Sequence, residues 1–299
     1  MSIVVTTPTG QIGRQVVARL LAAGADLTLV ARDAGRLSPE ARARARVVEG
    51  ALDDATLQEA TRGAQAVFLV IPPDLRTDDW PTFQLGVGRA ASDAAAANGV
   101  RRVVFVSSAG AQRDDLFAVS RLGEVERLLA AAVSDLTVLR AGFFFENFLA
   151  AVPTIAADGA VYMSLPPERR HPMVATRDIA AAAAAALLDD ASHGHRVRGV
   201  HGAADVSPAE AVQAFSAALG RTVRYVQVPD AAMREGLIAA GASAHVADEY
   251  PRLMHGLGTL DYVAEPRTAE TTTPTTVAEW ARQVLAPAVA GVAAAPAAA

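Results

Sequence analysis

The stretch T-P-T-G-Q-I-G sets Gly10 and Gly13 three residues apart, after a β-branched run and ahead of an amphipathic one. Glycine at the first position lets main chain approach a pyrophosphate, and glycine at the second lets a helix pack closely on the preceding strand. The unpaired amides of the first helical turn, near Gln11 and Ile12, then face the phosphates. Thr7 stands where a three-glycine turn would begin. It lacks glycine's freedom but brings a hydroxyl that can donate to a phosphate. Two glycines alone also suit a purely packing role. Their place after the first strand, opening a βαβ unit, points to a dinucleotide instead. The second strand ends V-A-R-D, with Arg32 and then Arg36 in reach of an adenosine phosphate. An arginine here receives the 2′-phosphate of NADP, whereas a carboxylate such as Asp33 would take the ribose hydroxyls of NAD. NADPH is expected over NADH.

Composition narrows the chemistry further. The chain has 299 residues, 52% of them hydrophobic, and a net charge of -5, so it lacks the basic balance of a nucleic-acid binder. With no cysteine, disulfides, thiolate catalysis and thiolate-held metals are excluded. His171, His201 and His255 lack ligand spacing, so no metal site is expected. The sequence contains no lysine, and any mechanism that needs an ammonium group is ruled out. Met1 leads almost at once into a strand, and the apolar run 181–188 is too short to span a bilayer. A soluble, cytoplasmic protein is expected; its oligomeric state is left open.

These groups need a scaffold, and residues 1–150 supply one. Apolar strands at 2–6, 26–32, 44–50, 65–71, 101–110 and 135–140 alternate with helical stretches. That alternation predicts an α/β doubly wound parallel Rossmann sheet covered on both faces. Residues 151–290 read as a smaller, partly helical substrate-binding part with segments returning to the main sheet. Within it, 151–172 are irregular, 176–190 are helical, 199–203 and 222–228 are strands, and Ser207 opens a helix that Gly220 closes. Residues 291–299 are read as a flexible tail.

Taken in order, TPTGQIG, VARD, QAVFLVIPP, VVFVSSAG, LTVLRAGFFFENFL, RDIAAAAAAALLDD and the stretch from GAADVSPAEAV to RYVQVP resemble the NmrA-like branch of the atypical short-chain dehydrogenases/reductases. The resemblance implies an NADP-preferring Rossmann fold with a small carboxyl-terminal substrate part. Its members include quinone and azo reductases, ketone reductases and non-catalytic redox sensors. By position it assigns the phosphate turn to Thr7, Pro8, Thr9, Gly10, Gln11 and Ile12, and the adenosine-phosphate contact to Arg32. The loop after the fourth strand corresponds to Ile71, Pro72 and Pro73, and the nicotinamide end to Ser107, Ala141, Gly142 and Phe143. The chain departs from the family at Thr7, at Ala141 within the usual Arg-Pro-Gly, and at Ala51.

The largest departure concerns the proton. Many short-chain reductases protonate a ketone with a tyrosine whose partner lysine lies four residues on; here that segment runs from Phe117 to Arg121. Ser107 and Ser108 can hydrogen-bond a carbonyl oxygen, or simply cap the strand end; Asn147 and His171 are further donors. A ketone on a polycyclic aromatic with a neighbouring phenol, or a quinone, stabilises its own oxyanion. The pattern is similar to ketoreductases of angucyclinone-type aromatic polyketides, and a substrate-assisted NADPH-dependent reduction is expected. An NAD(P)H quinone or azo reductase and a non-catalytic NADP sensor are the alternatives. Phe143, Phe144, Asn147, Trp80 and His171 form the expected substrate wall, with at least two phenylalanines of the 143–148 run in the core. A wide chamber beside Ser107 and Phe143 would mark an enzyme; a filled one, a regulator.

Overall fold

The computed structural model describes residues 1–189, 191 and 193–293. In its first half β1 (Ser2–Thr6), α1 (Gly13–Ala22), β2 (Asp26–Ala31), α2 (Pro39–Arg44), β3 (Arg46–Glu49), α3 (Asp54–Ala60), β4 (Ala66–Val70), α4 (Trp80–Ala97), β5 (Arg102–Ser108), α5 (Ala118–Ala132) and β6 (Asp135–Ala141) alternate. A 3-10 segment (Phe145–Ala151) then leads into α6 (Val152–Asp158) and β7 (Ala160–Met163). After these come α7 (Thr176–Leu188), β8 (His195–Val200), α8 (Pro208–Leu219), β9 (Arg224–Gln227), α9 (Asp230–Ala239) and α10 (Ala244–Thr259). α11 (Val277–Trp280), a π-helical turn and α12 (Ala286–Ala293) complete the described chain.

The main sheet has seven parallel strands in the order β3-β2-β1-β4-β5-β6-β8. Strand order reverses between β1 and β4, which opens a crevice at their carboxyl ends. Val5, Leu29 and Val104 bury one face against Val16 and Leu20 of α1 and Ala180 and Ala183 of α7. Val4, Phe105 and Val138 bury the other against Leu57 of α3, Ala94 of α4 and Val125 of α5. A third core gathers Phe145, Phe148, Phe215 and Trp280 beneath the separate β7-β9 pair. Phe148 meets Phe215 edge-on at 5.0 Å between ring centres, a geometry worth about 1 kcal/mol beyond the area it buries.

The structure corrects several sequence expectations. The strand expected at 199–203 lies at His195–Val200 and forms a seventh strand beside β6. Its alternating H-R-V-R pattern is that of a sheet edge, which does not read as a buried run. Residues 151–172, expected to be irregular, contain α6 and β7; Pro153 sits in the first turn of α6, where its missing N–H costs nothing. β9 pairs with β7 and not with the main sheet. Between β2 and β3 the arginine-rich stretch 41–47 runs from the short helix α2, capped by Ser38, which accepts from the Ala41 amide, into β3. Of the expected tail 291–299, α12 extends through Ala293, and 294–299 lie outside the described residues. Ser207 and Glu210 form the reciprocal cap of α8, and Gly220 closes it in the left-handed conformation. Among the described residues no helix is long and apolar enough to cross a membrane.

Candidate active site

The turn after β1 answers for each of its glycines. A Cβ on Gly13 would lie 2.1 Å from the Thr7 carbonyl oxygen, so the start of α1 can reach β1 only through a residue without one. The Gly10 amide donates to that same carbonyl at 3.0 Å. Thr7 takes φ +50°, a left-handed conformation in which a β-branched residue is strained. It occupies a glycine's conformation as well as its place, and its Oγ1 is buried with no hydrogen-bond partner. Beside it the Thr6 hydroxyl donates to the Phe68 carbonyl at 3.1 Å and accepts from the Val70 amide at 3.2 Å, which locks the ends of β1 and β4 together.

A cleft of about 750 Å³ opens over this turn. Thr7, Thr9 and Gly10 border it from β1, Arg32 and Arg36 from the end of β2, and Pro72 from the end of β4. Arg32 and Arg36 are exposed, and neither side chain is paired with a described residue. Asp33, the competing ribose ligand, spends Oδ1 on the Gly35 amide at 2.8 Å. Gln11 is exposed beside the turn, Ile12 and Gly13 are buried beneath it, and Ile71 is buried just ahead of Pro72. Part of the cleft was not assigned from the sequence: Asp53 at the start of α3, and Gly86, Val87 and Ala90, which share one face of α4 with Phe83. The spacing 83, 86, 87, 90 was the available signal.

At the ends of β5 and β6 the arrangement differs from expectation. Ser107 donates its hydroxyl to Glu126 Oε1 at 2.6 Å and is 3% exposed, so its proton is committed within the protein. Glu126 is also gripped by Arg140, through Nε at 3.1 Å and Nη2 at 2.7 Å. Arg140 reaches Glu265 at 2.8 Å and Gln112 at 3.2 Å. The Arg140 guanidinium is held above its ordinary value: burial opposes its charge, and Glu126 and then Glu265 outweigh that opposition. Ser108 donates to the Ala109 carbonyl at 3.1 Å. The signal for this cluster was Glu126 itself, a carboxylate on the buried face of α5 between Gly123 and Leu129.

The expected substrate wall is packed, not open. Trp80 is 7% exposed and lies parallel to Tyr250 at 6.4 Å. Phe143 is 8% exposed, 5.9 Å from the Phe148 ring and 6.4 Å from the His171 ring. Phe144 is half-buried and its backbone bridges Val174, while Asn147 is exposed on the 3-10 segment and borders neither this cleft nor the second cavity described below. Ala141 pairs with Ser108 across the sheet. A Cβ on Gly142 would fall 1.6 Å from the Pro172 carbonyl oxygen, so the 171–173 segment presses directly on that glycine. His171 is fully buried, and desolvation, with the Arg169 charge nearby, lowers its pKa from 6.5 to about 4. Phe117, where the reductase tyrosine would stand, is held at φ +49° and ψ -122° at the start of α5. Among the described residues there is no group of side chains that could hold a metal ion.

α9 has no buried residue. The α9–α10 pair is tied to the loop after β4 by Ser243, whose amide donates to the Leu75 carbonyl at 2.8 Å and whose hydroxyl donates to the Thr77 carbonyl at 2.6 Å. α10 by contrast buries Val246, Leu253, Met254 and Leu257 in the third core, so a low-cost opening is confined to α9.

A curated NAD(P)H azoreductase of Xenophilus azovorans is 32% identical over 269 residues, which cover 88% of this chain and 89% of that protein. The (4-alkanoyl-5-oxo-2,5-dihydrofuran-3-yl)methyl phosphate reductase of Streptomyces griseus is 33% identical over 240 residues, 79% of this chain and 80% of its own. The NADPH-dependent quinone oxidoreductase of Escherichia coli, solved with NADPH, superposes with a TM-score of 0.74 at 21% identity, covering 95% of this chain and 99% of that one. The NmrA-like family matches residues 1–281, and the chain belongs to that family.

Proposed function

We propose that the protein is an NADPH-dependent oxidoreductase that reduces a bulky aromatic acceptor, a ketone of polyketide type foremost, with quinones and azo compounds as the alternative acceptors. The observation that carries this reading is the cleft at the sheet's switch point, with a glycine turn at one end and two unpaired arginines at the other. A dinucleotide fits it. The Thr7 hydroxyl is without a partner, a side chain at Gly10 would crowd the phosphate turn, and Arg32 and Arg36 offer charge for a 2′-phosphate. Thr7, Thr9 and Gly10 would hold the pyrophosphate, and the β5 and β6 ends would face the nicotinamide, which supplies a hydride when bound.

The chain's own residues then have three tasks. The turn and the arginines fix the cofactor's position, and positioning is the largest part of a hydride transfer. α9, which buries no residue, is the element that can move to admit the acceptor, while α10 stays packed on the third core. The reduced oxygen needs charge stabilisation, and Ser107 cannot give it while its proton belongs to Glu126. An acceptor with an adjacent phenol, or one whose reduced form is a phenolate, supplies that stabilisation itself. The azoreductase and quinone oxidoreductase names of the relatives support acceptors of that electron-poor aromatic kind.

NADPH oxidation measured against hydroxylated aromatic ketones, quinones and azo dyes, beside a titration with NADPH and NADH, tests the reading. Turnover of at least one class, with NADPH bound more tightly than NADH, is the expected result. Equal affinity for both cofactors overturns the NADPH preference. The packed ring of Trp80, Phe143 and His171 favours one other reading, an NADP-binding sensor: tight binding with no turnover of any acceptor would establish it.

A further inference from the structure

Two side chains 91 residues apart meet over the ends of β5 and β6. His171 Nδ1 lies 2.9 Å from the Tyr262 hydroxyl oxygen, and both residues are buried, at 0% and 3% exposed. Tyr262 is fixed from several directions. Gln112, in the loop that follows β5, donates to the Tyr262 carbonyl at 2.8 Å. Arg113 and Arg169 hold the Asp261 and Leu260 carbonyls at 2.9 and 2.7 Å. A Cβ on Gly110, which takes φ +94°, would stand 3.3 Å from the Tyr262 side chain. The His171 ring leans on Phe143, and its neighbour Pro172 covers Gly142. The pair therefore overhangs the residues assigned to the nicotinamide end.

The hydrogen-bond inventory favours one tautomer. His171 Nε2 is buried and has no partner. A neutral imidazole carries one proton, and a buried N–H without an acceptor is rarer and costlier than a bare ring nitrogen. Protonation at Nδ1, with donation to the Tyr262 oxygen, avoids that orphaned N–H. That leaves the phenol's own O–H free to point elsewhere. Burial also raises the Tyr262 pKa and lowers that of His171, so both groups are neutral at ordinary pH.

On the reductase reading above, we propose that Tyr262 is the proton donor that replaces the missing tyrosine–lysine pair, with His171 as its positioning residue. The acceptor carbon gains hydride from the reduced dinucleotide, and the carbonyl π pair moves to oxygen. That oxygen takes the Tyr262 proton as the Oη–H bond breaks, and the phenolate is held by the His171 Nδ1–H. A second cavity of about 290 Å³ borders Tyr262, lined also by Arg169, Asp205, Asp261 and Glu265. Water in a chamber that polar returns a proton to the phenolate. The role matters for acceptors that do not stabilise their own oxyanion, so Tyr262 sets how plain a ketone the enzyme can reduce.

The test compares wild type, Y262F, H171L and H171N with two acceptors, an aryl ketone lacking a neighbouring hydroxyl and a para-quinone. Y262F should lose about 100-fold or more in kcat on the ketone, the usual scale of a general acid. On the quinone, whose reduced oxygen is a phenolate that water protonates, it should stay within about threefold. H171L should follow Y262F in part, and H171N, whose amide replaces the Nδ1 donor, should recover most of the ketone activity. ¹⁵N NMR of the protein without cofactor supplies a readout independent of turnover: the His171 ring should be protonated at Nδ1, and Y262F should shift that balance. Circular dichroism and the NADPH dissociation constant of each variant show that fold and cofactor site are intact. Equal loss on both acceptors, an unchanged ketone rate in Y262F, or an Nε2–H tautomer in the wild type overturns the proposal. A wild type that binds NADPH yet reduces neither acceptor refutes the reductase reading instead, and the tautomer then decides the placement of the donor by itself.

Discussion

Replacing Thr7 should move stability and cofactor affinity in opposite directions. In the free protein Thr7 carries two costs. Its φ of +50° strains a β-branched residue, by about 1–2 kcal/mol. Its Oγ1 is buried without a partner, a desolvation cost of about 1–3 kcal/mol. Thr7→Gly removes both and costs about 0.5–1 kcal/mol through the freer unfolded chain. The net expectation is a gain of about 2 kcal/mol, or several degrees in Tm for a chain of this size. Thr7→Ala removes the orphaned hydroxyl but keeps the left-handed backbone, so it should fall between. Binding should run the other way. If the hydroxyl donates to a pyrophosphate oxygen, its loss forfeits a charge-assisted hydrogen bond of about 1.5–3 kcal/mol, which weakens NADPH about 10- to 100-fold in both variants. Thermal unfolding with and without NADPH reads both effects in one experiment: the T7G curve lies above wild type without cofactor and gains less when cofactor is added. If T7G is less stable than wild type in the free state, or binds NADPH equally well, the account of the turn is wrong.

Arg32→Ala should weaken NADPH about 10- to 100-fold, leaving NADH within about threefold, since only the 2′-phosphate loses a charged partner; paired titrations measure this. Gly142→Ala places a Cβ 1.6 Å from the Pro172 carbonyl oxygen, a main-chain clash expected to cost more than about 3 kcal/mol and to show as a lowered urea midpoint. Acid should destabilise the fold through His171, which titrates at about 4 when folded against 6.5 ordinarily. As pH falls the unfolded chain takes up this proton first, so the contribution is complete above 6.5, fades between 6.5 and 4, and is constant below. Its full extent is about 3 kcal/mol. Urea midpoints across that range should fall more steeply for wild type than for H171L.

The sequence revealed most where one residue type carries one physical job. Buried strands read as apolar runs, the Ser207–Glu210 cap read directly, and the Gly10 and Gly13 spacing located the cleft. Three features escaped because their meaning is non-local. α7 begins without a side-chain cap of its own; the Thr176 amide is taken by Glu146 Oε2 at 3.0 Å, from 30 residues upstream. The same carboxylate accepts from the Trp280 indole at 3.1 Å, so one glutamate joins three segments that no window contains. β8 was misplaced because an edge strand alternates polar and apolar residues. The His171–Tyr262 contact joins a proline-flanked loop to a segment outside any helix or strand, and only tertiary packing brings them together.

Loss of the lysine has an electrostatic consequence that decides where a reduced oxygen can lie. A tyrosine–lysine pair would place a cation beside its tyrosine and favour negative charge there. In this chain the neighbourhood of Ser107 holds Glu126 and Glu265 around the single guanidinium of Arg140, a cluster with one net negative charge. An oxyanion about 7 Å from that charge would be disfavoured by about 2 kcal/mol at an effective dielectric of 20, before the cost of taking Ser107 from its carboxylate. On the other wall of the crevice, with Tyr262 and a neutral His171, the Arg169 cation offsets the nearby Asp205. Substitution of Glu126 by glutamine separates the two walls. It removes the negative charge, frees the Ser107 hydroxyl from a charged acceptor, and should make Ser107 available to the acceptor oxygen. Ketone reduction by the E126Q/Y262F double variant should then exceed that by Y262F alone, about tenfold if half or more of the electrostatic penalty is relieved. If E126Q leaves the Y262F rate unchanged, the β5 wall was never in reach of the reacting oxygen, and its network serves the fold alone.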